Sequence, residues 1–145
     1  MTWLKHVYRG GLYLTRRYLW PWGAVRVYLH TLHRGDDTPH FHNHPWKWAI
    51  TIILWRGYTE ERLYSGGEVG ISRRRVRPGT VYLLRPGDFH RVEGIDPARP
   101  SWSLFLAGPR LDRPGGKAWG FRCPRCLQYT PEGRFRVQGS RCGHL

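Results

Sequence analysis

The chain has 145 residues and a formal net charge of +14, carried by 21 arginines and 3 lysines against 10 carboxylates. That length suits one domain with a real core, and the longest uncharged apolar run, the eight residues Trp48 to Trp55, is far too short to span a bilayer. Three cysteines, all beyond residue 120, make a poor disulfide framework, and the first residues lack the apolar core of a signal peptide, so a cytoplasmic protein is expected.

Taken in order, the chain is punctuated by 18 glycines and 11 prolines, which suits many short strands joined by turns. Residues 11–20 read as a strand stopped by Pro21 and Gly23, and residues 24–32 as another. In the second, Val25, Val27, Leu29 and Thr31 share one face, while Arg26, Tyr28, His30 and Leu32 share the other. His30 and His33 have no metal-type spacing and read most simply as surface or core-edge residues. Arg34 to Pro39 is a turn or loop by composition. Trp46 to Trp55 is β-branched and aromatic, which predicts a central strand. Arg56-Gly57 then predicts a turn into an antiparallel partner, Tyr58 to Tyr64. Glu68 to Val76, Thr80 to Leu84, Phe89 to Val92 and Ser101 to Ala107 are further strands. No stretch keeps a helical period and no repeat is present, so the fold expected is all-β, a closed sandwich or barrel. Residues 1–108 form its core, and 109–145 are an extension in which Lys117 to Phe121 could add a covering strand.

The charge has two readings. Arginine pairs with phosphate through two parallel hydrogen bonds, so a basic surface attracts nucleic acid or an acidic protein partner. An arginine-rich surface that is merely solvated has the same composition, and only Arg73-Arg74-Arg75 with Arg77 forms a local cluster.

Chemistry concentrates in Pro39-His40-Phe41-His42-Asn43-His44-Pro45-Trp46. Along an extended strand, residues two apart face the same way, so alternating imidazoles can converge on one cation. A second signal follows in Gly79, the turn Pro86-Gly87-Asp88, and His90. The ordered pair resembles the two motifs of the cupin superfamily: H-x-H, then a glycine, proline, glycine and histidine series, here with the proline one residue late. Within it, His42-Asn43-His44-Pro45-Trp46, Gly57-Tyr58-Thr59-Glu60, Asp88 to Val92, Leu104 to Pro109 and Trp119-Gly120-Phe121 resemble small cupin-like proteins of bacteria and their phages.

The resemblance implies a jelly-roll barrel and one divalent metal, commonly iron, manganese, zinc or nickel, held by histidines and a carboxylate. His42, His44 and His90 match the motif histidines. The glutamate that cupins place shortly after the second histidine is absent here, where Trp48 and Ala49 stand. Glu60 is the candidate replacement; Glu61 takes its place if a tight hairpin shifts the register by one. Three imidazoles and a carboxylate would leave positions open for substrate or water, and three imidazoles alone would resemble a catalytic zinc site. His40 then becomes a candidate acid or base, or a hydrogen-bond partner, beside the metal. Trp46, Trp48 and Tyr82 read as core, and Arg91 as an anion binder if buried or a solvated cation if not.

Two functions are expected on this basis. One is a mononuclear metalloenzyme, of oxygenase, isomerase or hydrolase type, acting on a small molecule. The other is a non-catalytic binding or phage accessory protein that uses the barrel as a scaffold and its basic surface for nucleic acid or a protein partner. It would sit in the host cytoplasm if phage-encoded. The family also makes a homodimer an expectation.

The tail carries Cys123-Pro124-Arg125-Cys126 and, after fifteen intervening residues, Cys142-Gly143-His144. C-x2-C can hold two corners of a zinc tetrahedron, and Cys142 with His144 could close it; two unligated thiols in a loose tail are the alternative.

Overall fold

The computed structural model describes residues 3–9, 11–64, 70–111 and 119–131. Twelve strands occur in these residues: β1 (Leu4–Tyr8), β2 (Leu12–Trp22), β3 (Val25–Leu32), β4 (Phe41–His42), β5 (Ala49–Trp55), β6 (Tyr58–Tyr64), β7 (Gly70–Val76), β8 (Val81–Leu84), β9 (Phe89–Glu93), β10 (Ser101–Ala107), β11 (Gly120–Arg122) and β12 (Tyr129–Pro131). They form two six-stranded sheets, ordered β1-β2-β3-β10-β5-β8 and β12-β11-β4-β9-β6-β7. Every pairing is antiparallel. The molecule is all-β, as its punctuation predicts. No helix among the described residues is long and apolar enough to cross a membrane.

Alternation explains the sheets' inner faces. On β3, Arg26, Tyr28, His30 and Leu32 line the interior together, as the period-two pattern requires. On β10 the inward residues are Ser103 and Phe105, and Trp102, Leu104 and Leu106 fall on the opposite face by alternation. The core joins Tyr28, Ile53, Tyr58, Tyr82, Leu84 and Phe105, among others, between the two layers. The hydroxyls of Tyr58 and Tyr82 meet across it, so each buried phenol has a polar partner.

Two expected boundaries move for physical reasons. Strand β2 continues through Pro21, because β1 pairs only as far as Arg17 and the remainder of β2 is a sheet edge. A proline there removes no ladder hydrogen bond. Strand β5 starts at Ala49, three residues after the predicted start, because Trp46 is drawn into an isolated bridge with Arg110.

The predicted β5–β6 hairpin does not form. β5 pairs with β10 and β8, whereas β6 pairs with β7 and β9 in the other sheet. Arg56 and Gly57 both take positive φ (65° and 72°), turning the chain a corner between layers instead of back along itself. Glycine is required at the second position, since a Cβ there would collide with the Val76 carbonyl oxygen.

Candidate metal centre

The second sheet presents the motif histidines. Only Phe41 and His42 of the histidine stretch are strand, and His42 lies in register with His90 on β9 and with Phe121 on β11. The short covering strand predicted near 117–121 is therefore β11, and it flanks His42 directly. Asn43 anchors the stretch: its Nδ2 donates to the Pro86 carbonyl (2.9 Å), and its Oδ1 accepts from the Gly120 amide (2.9 Å). One side chain thus ties the first motif to the turn of the second. His44 follows outside the strand, where Lys47 N–H donates to the Pro109 carbonyl and Leu111 N–H to that of Pro45.

The result is a cluster in which His42, His44 and His90 each offer a nitrogen, all within 4.8 Å of one another. The Nε2 atoms of His44 and His90 are 2.9 Å apart. Burial, and then the neighbouring histidines, hold the pKa of His42 and of His44 well below the usual imidazole value, so both are neutral donors. A cation with nitrogens at about 2.1 Å needs donors roughly 3–4 Å apart, so closure of the triad on a metal takes about an ångström of movement. The donor set fits a divalent metal.

Glu60 stands behind this triad. It is fully buried; His90 Nδ1 donates to its Oε1 (3.0 Å), and Arg74 donates to Oε2 (2.7 Å). Arg62 Nε reaches Oε1 as well (3.2 Å). Burial alone would raise the carboxyl, but His90, Arg62 and Arg74 outweigh it and bring Glu60 down to about 2. An ionised Glu60 keeps the His90 proton on Nδ1 and turns the Nε2 lone pair towards the other rings. The proton in the 2.9 Å contact then belongs to His44 Nε2, and a metal bound there requires His44 to carry its proton on Nδ1 instead. Glu61 points to the opposite face of β6, where Arg73 (3.2 Å) and Arg91 (2.6 Å) hold it.

Asp36 is the residue that composition alone hid. Read as loop, it is buried against the second sheet, accepting from the Val92 amide (2.7 Å) and the Tyr13 hydroxyl (2.9 Å). Its Oδ2 lies 3.7 Å from His42 Nδ1, a nitrogen that is buried and has no hydrogen bond. Two of the three histidines therefore have a carboxylate at their rear nitrogen. The available sequence signal was an acidic pair, Asp36-Asp37, shortly ahead of H-x-H.

The triad opens into a cavity of about 470 Å³ between the sheets, whose lining includes Tyr13, Tyr28, Thr51, Tyr82 and Phe105. Trp46 and Tyr82 are core residues that also reach this lining. His40 is buried against Thr38 Oγ1 (3.2 Å) and does not line the cavity. Arg91 pairs with Glu61 and Glu93 and does not line it either. His30, expected at an edge, is buried in the wall, stacked on Phe105 with ring centroids 4.7 Å apart. Cys123 is buried and Cys126 exposed; Cys142 and His144 lie outside the described residues.

No protein-family model matches the chain, and no characterised protein matches it by sequence. Solved structures do match its shape. KdgF from a Halomonas species superposes with a TM-score of 0.52 at 20% identity, over 74% of this chain and 87% of that one. Fe(II)-HppE with an alternative substrate gives 0.51 at 8% identity, over 72% of this chain. A putative mannose-6-phosphate isomerase from Ralstonia eutropha JMP134 gives 0.50 at 13%, over 66% and 84%. The fold is that of the cupins. The chain spans about half the length of Fe(II)-HppE, 54%, so the cupin barrel is what the two have in common.

Proposed function

We propose that this cupin-fold protein binds one divalent cation through His42, His44 and His90 and uses it to transform a small molecule admitted by the cavity. The observation that carries this reading is the convergence of three imidazole nitrogens, from buried His42 and His90 and half-buried His44, on one point of a cavity wall, with carboxylates behind two of them. Iron, manganese, zinc and nickel all accept such donors. A metal with three protein nitrogens keeps positions open, and so supplies a Lewis acid able to polarise a bound oxygen. Oxygenase, isomerase and hydrolase chemistry are all compatible with that.

The chain's own groups have distinct parts in this scheme. Glu60 orients His90 and keeps its proton on Nδ1, Asp36 faces the rear of His42, and Asn43 holds the two motif segments together. Tyr58 and Tyr82 share a proton-bearing contact at the cavity wall. Burial pushes both phenols up, Tyr82 to about 12, so each remains a neutral hydrogen-bond donor and not a base at neutral pH. Metal analysis of purified protein tests the reading: about one equivalent beyond any zinc held by the tail is expected in the wild type, and His42→Ala and His90→Ala should each lose that equivalent. Undiminished metal in both variants would refute it.

For the tail we propose a separate zinc, with Cys123 and Cys126 as two ligands and Cys142 and His144 as the others. Support comes from the local backbone. The Arg125 amide donates to Cys123 Sγ (3.4 Å), the Leu127 amide to the Cys123 carbonyl (2.9 Å), and Leu127 takes φ +60° to close the turn. Amides aimed at sulfur stabilise thiolate, the form that binds zinc. Cys126→Ser should remove this zinc and leave the barrel metal in place; unchanged zinc content would exclude the tail site.

A further inference from the structure

The cavity lining carries more positive charge than the described residues balance. Lys5, Arg9, Arg16, Arg26 and Arg110 all line the cavity, and no aspartate or glutamate among the described residues does. Arg9 has a partner outside the lining, Asp36 at 3.6 Å. Arg110 lies at the rim over Trp46, 5.8 Å from the ring centroid.

Arg16 is different. It sits on β2 directly opposite Lys5 on β1 and directly opposite His30 on β3, so two cations face each other across adjacent strands on the cavity side. Like charges in that register repel. Arg16 Nε donates to His30 Nε2 (3.0 Å), and its guanidinium lies 4.9 Å over the Tyr28 ring. No carboxylate among the described residues pairs with it. His30 accepts at Nε2, so it is the neutral tautomer with its proton on Nδ1 and brings no negative charge. Burial lowers the Arg16 pKa from its ordinary value, with Tyr28 acting the other way, and the same burial makes the missing counter-charge costly. From Arg16 the wall runs through His30 to Phe105, and Phe105 is 6.0 Å from the His44 ring.

We infer that the cavity takes a small molecule bearing an oxyanion, a carboxylate or a phosphoryl group, held by Arg16 with help from Lys5 while the remainder of the molecule faces the histidine triad. This rests on the metal-site reading for what happens at the far end, but not for the anion contact itself. A guanidinium with its terminal nitrogens uncommitted offers the two-pronged geometry that carboxylate and phosphoryl oxygens fit. Opposite Lys5, an anion there also relieves a like-charge pair.

Titrations of the full-length protein with propionate, with methylphosphonate and with propionamide, the neutral isostere of propionate, test this. At least one anion should bind roughly tenfold or more tightly than propionamide, and the tighter of the two anions identifies the oxyanion class. Arg16→Gln should weaken that anion about ten- to hundredfold. Arg16→Lys, which keeps the charge and loses the fork, should weaken it less and serves if the glutamine variant does not fold. Arg17→Gln removes the same charge from the neighbouring position, where Arg17 bonds Thr31 and lies over Trp102, and should leave affinity unchanged. The inference is overturned if propionamide binds as well as the anions, if neither anion binds, or if Arg17→Gln matches Arg16→Gln. The His42→Ala protein separates the two readings. Anion affinity retained without metal supports the Arg16 assignment; anion affinity lost with the metal assigns the anion to the metal instead and overturns it. Wild-type protein that binds anion but no metal would refute the metal site alone.

Discussion

The two walls of the barrel handle charge in opposite ways. On the β4-β9-β6 side, cations and carboxylates alternate until little charge is left over: Glu60 meets His90, Arg62 and Arg74, while Glu61, Glu93, Arg73 and Arg91 close a second network on the outer face. On the β1-β2-β3 side, Lys5 and Arg16 stand in register with no carboxylate partner among the described residues. A balanced wall is built to hold groups in place, here imidazoles; an unbalanced wall leaves its electrostatics to be completed by something that enters. The contrast also accounts for the one obvious arginine run in the sequence. Arg73 and Arg74 are engaged with Glu61, Glu93 and Glu60, and Arg75 donates to the Arg56 carbonyl, so the cluster is largely committed within the fold.

Breaking the balanced wall at its centre should have the largest effect. Removal of His42 or His90 should abolish barrel metal binding, read by elemental analysis. Glu60→Ala would leave His90, Arg62 and Arg74 around an empty buried position and should cost about 3 kcal/mol in denaturant unfolding, somewhat less than a fully enclosed ion pair because Arg74 is half exposed. Glu60→Gln preserves the shape but not the charge; metal affinity should drop by about 10- to 100-fold in a chelator competition.

Acid should act on the same wall. A carboxylate whose folded pKa is depressed contributes stability that is complete above its ordinary value of 4.5 and is lost as pH falls through about 2. His42 and His44 work in the same direction from a higher pH. Their folded pKa values are lowered, so below 6.5 the unfolded chain binds more protons and stability of the metal-free protein declines. Unfolding free energy measured from pH 7 to 2 should therefore decrease throughout, and Glu60→Gln should flatten the segment below 4.5. A profile unchanged in that variant would contradict the assigned Glu60–His90 pair.

The smallest effect belongs to the outer network. Glu61→Gln should change stability by about 1 kcal/mol or less, since Arg73 is well exposed, and should leave metal content intact. A loss of metal in Glu61→Gln would mean that the inner and outer faces of β6 are exchanged.

Much of this was legible from residue order. Period-two alternation placed Arg26, Tyr28 and His30 on one face of β3, and the resemblance of His42, His44 and His90 to the cupin motif histidines singled out the three residues whose nitrogens converge. Strand β12 was missed because three residues are too few to establish a pattern, and β1 because it is an edge strand whose side chains are almost all exposed, leaving no apolar alternation to read. The β5–β6 hairpin was wrongly expected because Arg56-Gly57 makes the same local signal whether the chain doubles back or turns a corner into the other sheet. Glu60 was expected as a metal ligand from its type and position; its actual place, behind His90 and against Arg74, depends on β6 pairing with β9 and β7.

By itself, then, the sequence determined that the chain is a set of short alternating strands and, through its motif match, which imidazoles to consider together, because alternation and motif spacing are both local; that His42 and His90 face each other came from the pairing of β4 with β9. Only the tertiary structure decided what each charge meets. Asp36 reaches Val92 and His42, Glu60 reaches His90 and Arg74, and Arg16 meets no carboxylate among the described residues, because electrostatic environment is set by strands far apart in the chain. The same arginine is neutralised on one wall and left for a ligand on the other.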